Sequence, residues 1–352
     1  MLWAVAALLI FGGRADAKQD AAAIYERNCA KCHGPAGQPP APPEEGRRLA
    51  YDFSNCSVSS AEPDAPWRLA VTHGGRAVGL SKDMPSFSDK LNDAEIAAVV
   101  RYVRGLCVSQ GWPNGNLNFS RPIVTEKAFP EDEVVLRPSH TRGKGEPSET
   151  ELEVVFEKRF GKRNNVEIEF PFASFPNGDG RVTGLQDLKA AVKRVFLSDR
   201  EGTRIVSGGF EVAFPSANTA NGLGEGRYRY EPFVAAGLSR GLTTLQTQFA
   251  VEFEKVTEGS SSEIEREYSY NIFAGRDLST RPTRWSLGVE LNGVNKDLAL
   301  TPQIRKGLVR TGALAAALGA QIPINHRDER RSRIVAYLLW DYREPVWRRA
   351  RR

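Results

Sequence analysis

The chain has 352 residues, of which 41% are hydrophobic and 26% charged, and this composition excludes an intrinsically disordered protein. Its 48 basic and 43 acidic residues give a net charge of +5, and basic residues concentrate only in the tail, residues 344–352. The tail is interpreted as a solvated end, so we predict no nucleic-acid binding. The length allows two or more domains.

The N-terminus has the organisation of a secretory signal peptide. Residues 2–11 form an unbroken apolar run, which is too short to cross a bilayer as a helix because spanning takes about 20 residues. Ala15, Asp16 and Ala17 supply an A-x-A cleavage site, although no Lys or Arg precedes the apolar run. The pattern predicts removal of residues 1–17 and export of a chain that starts at Lys18.

Residues 18–108 contain two helical patterns. The first covers residues 21–33 and ends at Gly34 and Pro35. The second begins at Asn92, where Glu95 three residues later predicts a capping box. Its apolar face consists of four residues at helical spacing: Ile96, Val99, Val100 and Val103. A domain this small buries little core, so a further constraint must hold the loops between the helices.

That constraint is predicted by the sequence Cys29-Ala30-Lys31-Cys32-His33. C-x-x-C-H is the attachment motif of c-type haem: the two thiols bind one haem, and the adjacent histidine reaches the iron. A redox-active pair would favour a βαβ setting, which the pattern lacks, and a zinc site would need two more ligands. We therefore predict one covalent haem.

The sixth ligand of the iron has two candidates. Met84 is the only methionine left once Met1 is removed, and it lies in a loop before the second helix. Thioether sulfur is a common axial ligand, so Met84 is the first candidate. His73 is the competing one, and a Met84 that packs against the haem without binding iron also stays open.

Residues 21–107 resemble a class I c-type cytochrome in the motif, the following Met84 and the two flanking helices. The resemblance implies that Cys29 and Cys32 are thioether anchors and that His33 and Met84 are the proximal and distal iron ligands. It also implies that the first and last helices cross, with Ile24 and Tyr25 against Tyr102 and Val103.

Two further cysteines, Cys56 and Cys107, lie outside the motif. An exported chain resides where disulfides persist. A bridge would attach the long loop to the end of the last helix, so we predict a Cys56–Cys107 disulfide, with two separate buried thiols as the alternative.

From residue 149 onward the pattern changes to strict alternation of apolar and polar residues. Eleven strands are predicted, and residues 133–138 are a candidate twelfth within a linker at 109–148. Most clean runs reach about 9–12 residues, close to the length of a tilted membrane strand. The eleven predicted strands begin near Thr150, Asn165, Leu185, Arg204, Tyr228, Thr243, Ile264, Arg284, Leu298, Leu314 and Ser332.

Loop lengths distinguish between two all-β folds. Counted from residue 133, long loops follow odd strands and shorter turns mostly follow even ones, which is typical of an outer-membrane barrel. A soluble β-sandwich is the alternative. Phe170, Phe172, Phe175 and Phe214 lie near strand ends, where interface aromatics are expected. The predicted lumen residues carry both charges: Glu153, Glu167, Glu169, Lys189, Arg229, Glu252 and Glu267.

The predicted fold is thus a signal peptide (1–17), a small all-α cytochrome domain (18–108), a linker (109–148), an antiparallel up-and-down barrel (149–343) and the tail. The plan resembles the outer-membrane monohaem cytochrome–porin fusions of iron-oxidising bacteria. It implies an electron carrier rather than an enzyme, anchored in a bacterial outer membrane. The loop pattern places the linker, and with it the cytochrome domain, on the periplasmic side, so we expect periplasmic cytochromes as redox partners. A channel with an accessory cytochrome and a haem enzyme or gas sensor are the alternatives.

Overall fold

The structure is a computed structural model, in which the chain divides into two compact units, residues 1–115 and residues 116–352. The predicted apolar run at 2–11 and the basic tail at 344–352 lie outside the described residues. The residues that the structure describes are 12–40, 50–60, 62–107, 111–142, 148–178, 180–258, 261–327 and 330–343.

The first unit is helical, and its core lies between its first and last long helices. Tyr25 is fully buried there and its ring centroid lies 5.3 Å from that of Tyr102, as the resemblance implied. No helix of the described residues is long and apolar enough to cross a membrane. The helices are α1 (Gly12–Asn28), α2 (Ala30–His33), α3 (Cys56–Ser59), α4 (Asp64–His73) and α5 (Asp93–Leu106).

The capping box predicted at the start of α5 is confirmed. The Asn92 side chain accepts hydrogen bonds from the backbone N–H groups of Ala94 and Glu95, each at 3.0 Å. Glu95 accepts one in return from the Asn92 backbone at 2.8 Å. The apolar face of α5 is buried as predicted. The predicted helix at 21–33 is divided at Cys29, where α1 ends and the short α2 follows.

The second unit is a β-barrel with twelve wall strands that pair in chain order and one short extra strand that pairs only with the strand before it. The wall strands have between 10 and 17 residues, long enough for tilted membrane strands. The strands are β1 (Glu133–Arg142), β2 (Glu149–Phe160), β3 (Asn164–Asn177), β4 (Gly180–Leu185), β5 (Lys189–Ser198), β6 (Arg204–Ala213), β7 (Arg229–Arg240), β8 (Thr243–Glu258), β9 (Ser261–Asp277), β10 (Trp285–Val294), β11 (Asp297–Gly307), β12 (Leu314–Pro323) and β13 (Ser332–Asp341).

The barrel is closed by pairing of β1 with β13, and β2 with β3 completes the ring. Twelve strands form the wall, and β4 is a short hairpin partner of β3 that the sequence analysis did not predict. All pairings are antiparallel, so the predicted twelve-stranded barrel, including its first strand, is confirmed and the sandwich alternative is wrong. An even strand number brings both ends of the barrel to one rim, called here the terminal rim; the opposite one is the loop rim.

Loop lengths follow the predicted pattern only in part. The loop rim carries the long connection 214–228, but it also carries the two-residue turn at 295–296. The terminal rim carries the short turns 161–163 and 241–242 but also the longer loop 278–284. Strand number therefore defines the two rims more reliably than loop length does.

The wall is apolar outside and largely polar inside, apart from buried apolar clusters that include Val135 and Leu339. On β2, Leu152 and Phe156 are 40% exposed, whereas the alternate residue Glu157 is fully buried. Outward-facing aromatic rings lie near both rims, with Phe214 and Tyr228 6.1 Å apart at the loop rim and Phe156 and Tyr342 5.6 Å apart at the terminal rim. This distribution is the one expected of a barrel surrounded by lipid.

The segment 116–132, predicted as part of the linker at 109–148, lies inside the barrel and is called here the lumen segment. Leu117, Ile123 and Phe129 are all at least 98% buried among inward-facing wall residues. This placement could not be predicted from the sequence, because the segment has no periodic pattern.

Candidate haem site

The C-x-x-C-H motif lies at the end of α1, where the chain makes a compact turn. The backbone N–H groups of Cys32 and His33 both donate to the Cys29 carbonyl, at 3.1 and 2.9 Å. The Tyr25 hydroxyl donates to the Gly34 carbonyl at 2.7 Å, which ties the turn back to the buried core. Gly34 has φ 74°, a conformation that a side chain would strain. These contacts hold both thiols on one short turn.

The two thiols of the motif are unpaired and differ in their surroundings. Cys32 is exposed, while Cys29 is half-buried and packs against the core. Burial, reinforced by the neighbouring Cys32, raises the pKa of the Cys29 thiol to about 11. A redox-active pair requires a lowered thiol pKa, so this environment argues against that alternative. Among the described residues, no cluster of three His, Cys, Asp or Glu side chains forms a metal site such as zinc would need.

His33 is oriented as a metal-binding imidazole. Its Nδ1 lies 3.2 Å from the Tyr51 carbonyl oxygen, which can only accept, so Nδ1 carries the proton. The lone pair is then on Nε2, the atom available to a metal. The ring stacks on Phe53 with centroids 4.4 Å apart. Burial lowers the pKa of His33, which favours the neutral ring that a metal ligand must be.

Met84 lies in the loop between α4 and α5 and is half-buried. Its carbonyl accepts a hydrogen bond from the Gly75 N–H at 3.1 Å. A Cβ added to Gly74 would lie only 2.9 Å from the Met84 carbonyl oxygen, so this close approach depends on glycine. His73, the competing ligand, is exposed at the end of α4.

Cys56 and Cys107 form a disulfide with their Cα atoms 5.1 Å apart, and it joins α3 to the residue that caps α5. Arg104 braces the same region: its guanidinium pairs with Asp64 at 2.8 Å and lies 3.9 Å above the Trp67 ring. These contacts of Arg104 were not predicted, because its partners are about 40 residues away in the chain.

The described residues of this unit fit a covalently bound haem. They provide two free thiols on one turn, an imidazole with Nε2 available, and a thioether in a loop packed against the Gly74-Gly75 turn. The wall of the site is aromatic and apolar, with Phe53, Trp67 and Val71 packed on the buried cluster. This surrounding suits a macrocycle better than a small hydrated ion.

The barrel lumen is the second charged region, and the predicted lumen residues face it. Lys189 lies 3.1 Å from Glu211 and 3.6 Å from Glu169, and Arg137 pairs with Glu153. Glu167 is buried, Arg229 and Glu252 are half-buried, and Glu267 is exposed. Two cavities, of about 150 and 320 Å³, lie along this charged wall, the larger one toward the loop rim.

The two units are similar to different known proteins. The family model described as "Cytochrome C oxidase, cbb3-type, subunit III" matches residues 16–103, which covers the predicted haem site. No curated protein sequence matches the chain significantly.

Solved structures are similar to the barrel. An outer membrane channel from Pseudomonas putida F1 has 15% identity and a TM-score of 0.45, covering 63% of this chain and 99% of its own. The NanC porin has 9% identity and a TM-score of 0.43, and the KdgM porin 10% and 0.42; each comparison covers 59% of this chain and 98% of the porin. The family match at residues 16–103 and the closed ring of wall strands in the structure confirm the predicted plan, a small cytochrome domain followed by a twelve-stranded barrel.

Proposed function

We propose that this protein is a c-type cytochrome that transfers single electrons while its barrel anchors it in a bacterial outer membrane. The observation that carries the proposal is the turn of Cys29, Cys32 and His33, with His33 Nδ1 held by a backbone carbonyl. This arrangement presents two attachment thiols and one iron-ligating nitrogen on the same short element.

The residues of the site have distinct roles in the proposed reaction. Cys29 and Cys32 attach the haem, which when bound supplies one iron redox couple. His33 binds the iron through Nε2, and the Tyr51 carbonyl keeps the ring in that tautomer. Met84 would supply the second iron ligand, which would leave no open site for substrate. Two protein ligands would favour an electron carrier over a haem enzyme or gas sensor.

Outer-membrane placement is supported by the barrel wall, which is closed, outwardly apolar and ringed by aromatic side chains. We also propose that the cytochrome unit is periplasmic and exchanges electrons with soluble periplasmic cytochromes. The support is that both barrel ends emerge at the terminal rim, and in bacterial barrels with an even strand number the short-turn side is periplasmic.

The test of electron transfer starts with the purified full chain. Haem staining on a denaturing gel and the visible spectrum are expected to show one covalent, low-spin, six-coordinate haem. A spectrum of five-coordinate iron that shifts on addition of carbon monoxide would overturn the carrier and favour the sensor or enzyme.

Sidedness is tested in proteoliposomes of known orientation. A membrane-impermeant reductant is added at the loop rim or at the terminal rim, and haem reduction is followed optically. Fast reduction from the terminal rim alone is expected. Fast reduction from the loop rim would contradict the periplasmic placement without affecting the haem assignment.

The alternative function is an outer-membrane channel with an accessory cytochrome. The two charged cavities, the larger of which lies toward the loop rim, favour this alternative, because polar lumens conduct solutes in other barrels. Whether the lumen conducts depends on the lumen segment.

A further inference from the structure

The lumen segment, residues 116–132, extends across the full width of the barrel. Ile123 packs on one side of the wall against a cluster from β1, β2, β12 and β13. Leu117, Phe119 and Phe129 pack across the lumen against β5, β6 and β7. A segment that reaches both sides of a twelve-stranded wall occupies the cross-section through which a solute would have to pass.

Where the lumen segment comes closest to the wall, the wall residues are glycines, which leave space for the side chains of the segment. A Cβ added to Gly319 of β12 would lie 2.6 Å from Cδ1 of Ile123, and one added to Gly237 of β7 would lie 2.8 Å from Cε2 of Phe119. Both distances are too short for a side chain to fit without displacement. The two glycines therefore match the two large apolar side chains of the segment, as in a packed core.

One wall carboxylate, Glu290, holds the turn of the segment. Glu290 lies midway along β10 and is fully buried. It accepts hydrogen bonds from the backbone N–H groups of Ile123 at 2.7 Å, Val124 at 3.0 Å and Thr125 at 2.7 Å. It also accepts one from the Thr125 hydroxyl at 2.6 Å. These N–H groups belong to no helix or strand, so the Glu290 carboxylate accepts the hydrogen bonds that regular secondary structure would otherwise provide.

Ion pairs hold the two arms of the segment to the wall. Arg121 is buried and donates to Glu133 of β1 at 2.7 Å and to Glu157 of β2. On the other arm, Glu126 pairs with Lys193 of β5. If the segment moved out, Glu133 and Glu157 would lose Arg121, and Lys193 would lose Glu126 and keep only the longer pair with Glu157 at 3.9 Å, which favours the seated position.

We infer that the lumen segment closes the barrel to solutes and that Glu290 is the residue that latches it. The barrel then acts as a closed membrane anchor, and its charged cavities form a vestibule that ends at the segment. This inference concerns residues 116–132 and the wall, and it does not depend on haem binding.

The test is the conductance of the full chain in a planar lipid bilayer. The unaltered chain is expected to give no sustained current. Glu290→Ala removes the acceptor for four donor groups of the segment, and for Gln303 of the wall, and is expected to give frequent channel openings. Glu252→Ala is the matched control, because it also removes a lumen carboxylate but one that faces Arg229, at 4.0 Å; it is expected to behave like the unaltered chain.

A second readout follows the segment itself. Ala128→Cys places a thiol at a position that is 3% exposed when the segment is seated. With Glu290 present, a membrane-impermeant maleimide is expected to label it slowly, and Glu290→Ala is expected to raise the rate at least about tenfold, equivalent to about 1.4 kcal/mol of lost docking. The labelling of the chain without Ala128→Cys is subtracted as the blank. This subtraction accounts for any labelling of Cys29 or Cys32, whether or not haem is attached.

Each outcome decides the inference. Openings together with faster labelling in Glu290→Ala support it. Sustained current through the unaltered chain would contradict the proposal that the segment closes the barrel. A Glu290→Ala barrel that gives no current and is labelled no faster than the chain with Glu290 would contradict the proposed role of Glu290. If Glu290→Ala fails to fold, as judged by loss of the faster-migrating unboiled gel band, Glu290→Gln and replacement of residues 116–132 by a Gly-Ser segment of equal length take its place. Absence of openings in both would overturn the inference.

Discussion

The helical unit buries mainly apolar side chains, whereas the barrel also buries charged side chains and exposes apolar ones on its outer face. Ile96 and Val99 are at most 2% exposed in the first unit, while Glu157 and Glu290 are fully buried in the second and Phe196 is 54% exposed. The difference shows that each unit is built for a different solvent, water in one case and lipid in the other. It also shows that the two units are stabilised differently.

In the helical unit a small core is supplemented by covalent links: a disulfide and the proposed haem thioethers. In the barrel, closure of the sheet satisfies the strand hydrogen bonds, and no covalent link is found among the residues that the structure describes there. Removing a covalent link should therefore weaken the first unit and leave the second unchanged. Four predictions follow from this contrast, in order of decreasing effect.

The largest effect is expected from Cys29→Ala combined with Cys32→Ala. Both attachment thiols are removed, so haem staining on a denaturing gel should disappear completely. The barrel should still migrate faster when the sample is not boiled. Cys56→Ser with Cys107→Ser is the control and should keep the stain; stain that persists in the first pair would exclude the attachment site.

Met84→Ala should change the iron without removing the haem. Loss of the thioether should abolish the weak far-red band of sulfur-ligated ferric haem and lower the reduction potential, because Met raises it. His73→Ala is the matched control and should leave the band in place. A spectrum that is unchanged in Met84→Ala, or the absence of any sulfur band in the unaltered chain, would show that the assignment of Met84 is wrong, and a spectrum that changes only in His73→Ala would assign the position to His73.

Cys56→Ser with Cys107→Ser should lower the free energy of unfolding of the helical unit by about 2–4 kcal/mol, since the bridge closes a long loop. Denaturant unfolding followed through haem absorbance measures this change. The temperature at which the barrel loses its faster gel mobility should not change. Equal denaturant midpoints of unfolding with and without the disulfide would mean that the haem alone holds the loop between Cys56 and α5.

The smallest effect is expected at the start of α5. Asn92→Ala removes the side chain that accepts from two backbone N–H groups and should cost about 1 kcal/mol in the helical unit. Asn92→Asp keeps the accepting oxygen and should cost much less. A loss of equal size in both variants would show that the capping interaction does not contribute as the geometry indicates.

Several features of the fold could be predicted from sequence because they depend on neighbouring residues. The C-x-x-C-H motif and the capping box each lie within one or two helical turns, so spacing alone defines them. The wall strands alternate with period two, because successive side chains of a strand point to opposite faces. All twelve wall strands were therefore predicted. The largest error is in the first residue of β5, which was predicted at Leu185 and is observed at Lys189.

Sequence alone therefore determined the haem motif, the class of each unit and the faces of the barrel strands. Only the tertiary structure decided what fills the barrel. Glu290 and the N–H groups of residues 123–125 lie more than 160 positions apart in the chain, and the lumen segment has no periodicity to reveal its place. Their contact exists only because the closed ring of strands brings a buried carboxylate to a backbone turn that needs an acceptor.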